Sequence, residues 1–182
     1  CNFNDNQKKG HWHEISLGPI LLKRCEIVGT RDPSGKHKAM GFFILNVHDV
    51  TFEDCVIADN DGPQFGFNHS PPRETRPTFY GSGHGGVSNP NSTGFIIRNC
   101  TVVGKGENGK MYERISASAS EYANFVENEF SGENNRYWNP DTTKVFDPSG
   151  KWHNREFVDL EMWKQVTGSE EGSTWKPAQP AK

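Results

Sequence analysis

The sequence predicts an all-β fold, a parallel β-helix in which short strands wind into stacked coils. A six-residue pattern of one apolar residue, two polar residues, cysteine, any residue and one apolar residue occurs at 22–27, 52–57 and 97–102. A looser copy, one residue shorter, follows at 126–130. Copies at variable spacing are typical of a solenoid whose coils carry loops of different length.

Each copy is read as two strands joined by a sharp corner. Around Cys55 the strand period places Phe52, Cys55 and Ile57 inside. Phe52 and Cys55 are three residues apart, and on one continuous strand an odd separation would place them on opposite faces. The chain must therefore turn between them. The residues at this turn in successive copies are Asp54, Asn99 and Asn128. Asp and Asn tolerate the left-handed conformation better than other non-glycine residues, which favours a corner there.

A third apolar segment precedes each corner, which gives three strands per coil. These segments are 13–17, 41–46, 63–68 and 111–116. The chain also has 19 Gly and 11 Pro, and no segment before residue 155 has a clear helical period. We therefore expect coils over 1–140, and a C-terminal cap and tail over 141–182.

The tail predicts a short helix over 158–167, with Asp159 near its start and Gly168 as its C-cap. Solenoids need capped ends, which favours a capping role. Just before it, Tyr137 and Trp138 lie in a stretch rich in aromatic residues and Asn. Their rings suit either sugar stacking or coverage of the open end.

The corners N-C-x-V and D-C-x-I and the variable loops resemble the right-handed parallel β-helix proteins of the pectin-lyase-like superfamily, over residues 1–140. The segment from Trp163 to Ser173 is similar to the W-x-x-x-T-G-x-D-x-x-S end of bacterial carbohydrate-active β-helix proteins, with Glu170 or Glu171 near the expected Asp. The resemblance implies a secreted or periplasmic protein that acts on polysaccharide. The fold alone does not choose among lyases, hydrolases, esterases, adhesins and phage spikes.

Composition excludes several classes of partner. Mean hydropathy is −0.80 and 32% of residues are apolar, which a solenoid with a thin core tolerates. The net charge of −3 argues against nucleic acid and anionic membrane surfaces. No apolar run approaches the ~18 residues that a membrane span needs.

The cysteines are interpreted as core residues. Four cysteines would allow two disulfides by count. However, Cys25, Cys55 and Cys100 share one inward position, and parallel Cβ vectors do not favour a disulfide. Free, buried thiols that fill the core are therefore expected.

The N-terminus matches only the second half of a corner, at Cys1-Asn2-Phe3. A β-helix interrupted there exposes strand edges that pair with something. We therefore expect a C-terminal piece of a longer polypeptide, whose N-terminal face is covered by missing coils or by another copy.

The first candidate site is a groove beneath the longest insertion, 70–93. Loops of this length are usually functional or disordered. The insertion contains Arg73 and, within a glycine-rich segment, His84. The strands below it carry residues that alternation places outside: Glu14, Ser16, Gln64, Asn68, Tyr112 and Arg114. Next to Asn68, His69 joins the candidate substrate-binding residues.

The residue types in this groove suit acidic sugars. Arg114 can neutralise a uronate carboxylate, and Tyr112 or His84 can exchange a proton. Each of them also suits an ordinary solvated surface. Glu113 at an inward phase is anomalous. One explanation is a bulge at Glu113. The other is that the inward–outward alternation of this strand is shifted by one residue, in which case Tyr112 is in the core and Glu113 faces the groove.

The second candidate site is Asp59 and Asp61. Inverting glycosidases separate two carboxyls by ~6.5–9.5 Å, a distance that two residues on an extended strand can span. The string 58–62 also suits a plain turn, or part of a Ca²⁺ loop. Apart from this possible Ca²⁺, no cofactor or metal site is expected.

Two functions follow from these observations. The first is an enzyme that cleaves an extracellular polysaccharide by β-elimination or glycoside hydrolysis. The second is a non-catalytic carbohydrate-binding or structural β-helix segment, of the adhesin or spike type.

Overall fold

The computed structural model describes residues 1–7, 9–16, 19–34, 39–69, 93–117, 119–148 and 156–177. The described strands are β1 (Lys9–Ser16), β2 (Ile20–Lys23), β3 (Glu26–Val28), β4 (Met40–Glu53), β5 (Val56–Ala58), β6 (Phe65–His69), β7 (Thr93–Arg98), β8 (Thr101–Val103), β9 (Tyr112–Ala117), β10 (Phe130–Glu133), β11 (Arg136–Trp138) and β12 (Thr174–Trp175). The helices are α1 (Ala119–Asn124), which continues into a π-helical segment (Phe125–Glu129), and α2 (Leu160–Thr167).

All pairs of named strands are parallel, and they form three sheets. Sheet I contains β1, the first half of β4, β6 and β9. Sheet II contains β2, the second half of β4, β7 and β10. Sheet III contains β3, β5, β8, β11 and β12. In each sheet the spatial order follows the chain order, so one strand from each sheet forms a rung. This arrangement is compatible with a parallel β-helix.

The corners between sheets II and III adopt the left-handed conformation that the sequence predicts. Asp54 and Asn99 have φ of 55° and 54°, and Asn134 takes the same place in the next rung with 52°. The prediction for Asn128 is wrong, because Asn128 lies in the π-helical segment. The following corner has the sequence Glu133-Asn134-Asn135, which lacks the cysteine that marks the earlier copies.

The cysteines form the predicted ladder and are free thiols. Cys25 N donates to Cys55 Sγ (3.4 Å), and Cys55 N donates to Cys100 Sγ (3.3 Å). Two polar side chains then continue the ladder. Cys100 N donates to Asn135 Oδ1 and Asn135 N donates to Ser173 Oγ, both at 2.9 Å.

The core between the sheets is a stack of aromatic and aliphatic side chains. Alternation predicts that the following residues face inward, and the structure buries them: Phe52, Ile57, Phe65, Phe67 and Met111. The rings of Phe52 and Phe65 meet edge to face, with centroids 5.0 Å apart. Such contacts add to the free energy gained by burying apolar area.

Helix α2 forms within the predicted range 158–167 and packs against the C-terminal end of the stack. Its N-cap is Asp159, whose Oδ1 accepts from Met162 N (3.0 Å), and Gly168 is a left-handed C-cap. Trp163 lies nearly parallel to Tyr112, with ring centroids 5.4 Å apart. The expectation that no helix precedes residue 155 is wrong, because α1 and the π-helical segment lie between β9 and β10.

Residues 1–7 extend sheet III beyond β3. Asn2 forms a parallel bridge with Glu26, and Asn4 Oδ1 accepts from Val28 N (3.3 Å). What covers the N-terminal face stays a prediction. Neither helix in the described ranges is long and apolar enough to cross a membrane.

Candidate functional site

A polar cleft of about 260 Å³ opens where two successive rungs pass from sheet III to sheet I. We call it the turn cleft. Its lining residues are Asp59, Asn60, Asp61, Lys105, Gly106, Glu107 and Asn108. It therefore contains both carboxylates of the second predicted site.

A buried amide fixes the first wall of the turn cleft, residues 59–61. Asn60 Oδ1 accepts from Thr30 N (2.9 Å), and Asn60 Nδ2 donates to Ile27 O (3.2 Å) and to Gln64 Oε1 (2.7 Å). Gln64 Nε2 in turn donates to Gly62 O (3.1 Å). Gln64 is fully buried, so its predicted outward position is wrong.

The second wall, residues 105–108, is held from the rung below. Asn139 Nδ2 donates to the carbonyls of Gly106 (2.9 Å) and Gly109 (3.1 Å), and Asp141 Oδ2 accepts from Gly106 N (2.6 Å). A Cβ on Gly104 would collide with the carbonyl of Gly109, so the tight turn requires glycine there. Both walls are thus fixed before any ligand arrives.

Arg31 links the two aspartates. Its Nη2 lies 2.6 Å from Asp59 Oδ2 and its Nη1 lies 3.5 Å from Asp61 Oδ1. The hydrogen bond to Asp59, followed in effect by the charges of Asp59 and Asp61, raises the pKa of Arg31 above its ordinary value against the opposing effect of burial. Arg31 therefore stays positively charged and is held between the two carboxylates.

The charge of the turn cleft suits uncharged or cationic ligands. Asp59, Asp61 and Glu107 contribute three negative charges, against the positive charges of Lys105 and Arg31. About half of each aspartate side chain remains exposed, so their oxygens can accept hydrogen bonds. Within the described residues, no group of three or more His, Cys, Asp and Glu side chains could hold a metal ion.

An apolar row on the outer face of sheet III leads to the turn cleft. The strand register aligns Val28, Ala58, Val103 and Trp138, all half-buried. Ala58 immediately precedes the first cleft wall, and Val103 lies two residues before the second. The Trp138 ring lies 5.8 Å from that of Trp175. The predicted ligand-stacking residue Trp138 is thus on the surface, on the rung next to the cleft.

Tyr112 and Tyr137 are in the core, so the prediction that they face a ligand is wrong. Tyr112 aligns with the inward residue Phe65, because the strand phase is shifted by one residue from the one assumed. The two tyrosine hydroxyls lie 2.7 Å apart, and both side chains are fully buried. Burial, followed by the charge of Glu170, raises the pKa of both phenols well above the ordinary value. They stay protonated.

Three charged residues lie near the buried Tyr122 at the last strand of sheet I, and we call them the Arg114 cluster: Glu113, Arg114 and Asp147. Arg114 aligns with the inward residue Phe67, so its predicted outward position is wrong. Glu113 aligns with Gly66, on the face opposite to Phe65 and Phe67, and a register shift follows after Phe67. Of the two explanations foreseen for Glu113, the changed phase is therefore confirmed, whereas the register shift lies further along the strand, between Arg114 and Ser116.

Two of the three charges in the Arg114 cluster are on nearly buried residues. Glu113 and Asp147 are 8% and 6% exposed. Arg114 N donates to Asp147 Oδ2 (3.2 Å), whereas the buried Nε of Arg114 has no hydrogen-bond partner in the described part of the chain. Asn68 is half-buried on the neighbouring strand β6.

Three predicted site residues cannot be placed. Arg73 and His84 lie outside the described residues. His69 ends β6, but its side chain also lies outside what the structure describes. Their catalytic and substrate-binding roles stay predictions.

Sequence reasoning missed the second wall of the turn cleft. Residues 104–109 read Gly-Lys-Gly-Glu-Asn-Gly, which contains no motif for a site. Their position could have been found by aligning Val103 with Ala58 through the cysteine repeat, since both follow the ladder cysteine by three residues.

No protein-family model, curated protein or solved structure matches this chain.

Proposed function

We propose that this protein is a right-handed parallel β-helix of the pectin-lyase-like type that recognises an extracellular polysaccharide through the turn cleft. The observation that carries the proposal is a rigid polar cleft with an apolar row beside it. Sugars present C–H faces that pack on apolar and aromatic side chains, and hydroxyls that donate to carboxylates and amides.

The dimensions favour one sugar unit of a longer chain. Sites for drug-sized ligands occupy about 300–1,000 Å³, and the turn cleft, at about 260 Å³, is smaller. Neighbouring units would lie along the row from Val103 to Trp138. Because both walls are already held by hydrogen bonds, little conformational entropy is lost on binding.

The bonds of Arg31 support recognition more than acid–base catalysis at this cleft. Hydrolysis by inversion needs one carboxyl that is protonated and one that is ionised. In the turn cleft Asp59 and Asp61 instead share one cationic partner, Arg31, at 2.6 and 3.5 Å. Carboxylate oxygens are good hydrogen-bond acceptors for sugar hydroxyls.

The charge balance favours a neutral or amino sugar over a uronate. A uronate carboxylate would approach three negative charges and two positive ones, of which Arg31 is already paired with Asp59 and Asp61. Like charges across a contact reduce affinity and exclude the wrong partner. The uronate preference expected from Arg114 does not extend to the turn cleft.

Binding by variants tests the proposal. The full chain is titrated with soluble neutral glucan, chitosan and polygalacturonate. Asp61→Asn should weaken binding of the preferred polymer by at least about tenfold, since a hydrogen bond to a charged group contributes ~1.5–3 kcal/mol. The matched control is Glu161→Gln, which removes an exposed carboxylate on α2. Equal affinity of wild type and Asp61→Asn, or a preference for polygalacturonate, contradicts the proposal.

A second candidate function is polysaccharide cleavage at the Arg114 cluster. The observation that favours it is that two nearly buried carboxyl residues, Glu113 and Asp147, accompany Arg114, because a carboxyl can exchange a proton with a substrate and an arginine can bind an acidic sugar. Unsaturated products detected by ultraviolet absorbance would indicate β-elimination, and new reducing ends without them would indicate hydrolysis. Products from wild type that persist undiminished in Glu113→Gln would contradict this assignment.

A further inference from the structure

A carboxylate lies inside the C-terminal end of the stack. Glu170 is fully buried, and φ at this residue is 70°. Its side chain occupies space opposite Gly132, where a Cβ would collide with the carboxyl group. Gly132 aligns with the buried Ile97 of the preceding rung, so the Glu170 carboxyl stands where the core would otherwise continue.

Among the described residues, the groups that donate to this carboxylate are uncharged. Ser173 Oγ donates to Oε2 (2.6 Å), Tyr137 OH to Oε1 (2.6 Å) and Asn135 Nδ2 to Oε2 (3.0 Å). No cationic side chain of the described residues forms an ion pair with it. The charge is thus solvated by three neutral donors.

In the part of the chain that the structure describes, the neighbouring elements place no compensating charge beside Glu170. The titratable groups that face Glu170 are the hydroxyls of Tyr137 on β11 and Tyr112 on β9, with Cys100 next to Asn135 in the ladder. The charged residues of the elements packed around it are exposed or half-buried on the outer faces: Glu133, Arg136, Glu161, Lys164 and Glu171.

Burial and hydrogen bonding act on Glu170 in opposite directions. Removal from water disfavours the ionised form, whereas the three donors favour it. Burial is the larger effect, and it raises the pKa of Glu170 above the ordinary value despite the donors. The carboxyl therefore keeps its proton to a higher pH in the closed cap than in an exposed one.

We propose that Glu170 is a pH-sensitive latch of the end cap, residues 159–175, which holds the cap closed when it is protonated and loosens it when it is ionised. The sequence Trp163-x-x-x-Thr167-Gly168-x-Glu170-x-x-Ser173 encodes the latch. Thr167 Oγ1 donates to Trp163 O (3.0 Å), and Gly168 ends the helix, which returns the chain toward the stack.

The sign of the effect follows from linkage. Once the pH exceeds the pKa of an exposed glutamate, about 4.3, the open cap loses its proton while the closed cap retains it. The opening equilibrium constant then rises by up to about tenfold for each pH unit, until the raised pKa of the closed state is reached. Above that pH it is constant.

Hydrogen exchange of the full chain measures this opening. Exchange of the α2 amides, corrected for the intrinsic pH dependence, is followed from pH 4 to 8. In wild type the corrected opening should increase with pH. Glu170→Gln should abolish the increase, whereas Glu171→Gln, an exposed neighbour, should retain it. Ser173→Ala removes a donor that favours the ionised form, and it should extend the increase to higher pH.

A direct titration keeps the proposal testable if Glu170→Gln fails to fold. Carbon-13 NMR of glutamate carboxyls in wild type should show one group with a pKa above the ordinary range, and that signal should be unaffected in Glu171→Gln. A Glu170 pKa at or below the ordinary value, or α2 protection that increases with pH, would overturn the latch.

Discussion

The ladder position shows how one side chain serves two neighbouring rungs. Cys55 Sγ accepts from Cys25 N and lies 3.2 Å from Leu22 O, to which the thiol donates. The sulfur therefore both fills core volume and pairs buried backbone groups. In later rungs the side-chain oxygens of Asn135 and Ser173, instead of a sulfur, accept the hydrogen bond from the backbone N–H of the preceding rung.

Replacement of Cys55 tests the value of sulfur at this position. Cys55→Ser should reduce the free energy of unfolding by roughly 1–3 kcal/mol, because a shorter, more polar group enters a buried site. Thermal and urea unfolding would measure the loss. Cys1→Ser, at an exposed thiol, is the control and should leave stability unchanged. An unchanged midpoint for Cys55→Ser would contradict the core role of its thiol.

At the scale of an element, the corners between sheets II and III depend on the left-handed residue. Asn99→Val should cost about 1–2 kcal/mol, because a β-branched side chain clashes with the backbone there. Asn99→Gly removes the clash and should keep stability close to wild type. Equal unfolding midpoints for the Val and Gly variants would show that the left-handed conformation is not required.

The same corners show what the sequence could and could not predict. Where a cysteine marks the corner, as at Asp54 and Asn99, both the left-handed conformation and the inward phase are confirmed. At 133–135 asparagine replaces the cysteine, and the pattern was assigned wrongly to Asn128. An amide can make the same backbone hydrogen bond as a thiol, but no apolar periodicity reveals it.

The phase of β9 was missed for a related reason. Tyr112 is amphipathic, so alternation alone could not decide whether it lies inside. Its hydroxyl is buried because Tyr137 lies 2.7 Å away, on a strand distant in sequence. Likewise, the buried Gln64 depends on Asn60, which a strand pattern does not show. Polar residues with buried partners are therefore the ones that a sequence pattern places on the wrong face.

At the scale of the whole molecule, the two charged sites belong to different parts of a rung. The turn cleft lies where the chain enters sheet I from sheet III, and the Arg114 cluster comprises residues of strand β9 in sheet I and of the segment that contains Asp147. The two sites share no residue, so variants at one can be tested separately from variants at the other.

The measurement that tests polysaccharide recognition most directly is an NMR titration of the isotope-labelled chain with an oligosaccharide of neutral or amino sugars. Recognition at the turn cleft predicts saturable shifts of the amides at 59–61 and 105–108, with smaller shifts along the row from Val103 to Trp138. Asp61→Asn should require a higher ligand concentration for the same shifts. Saturable shifts confined to other surfaces, or no saturable shift with any oligosaccharide, would contradict the proposed function.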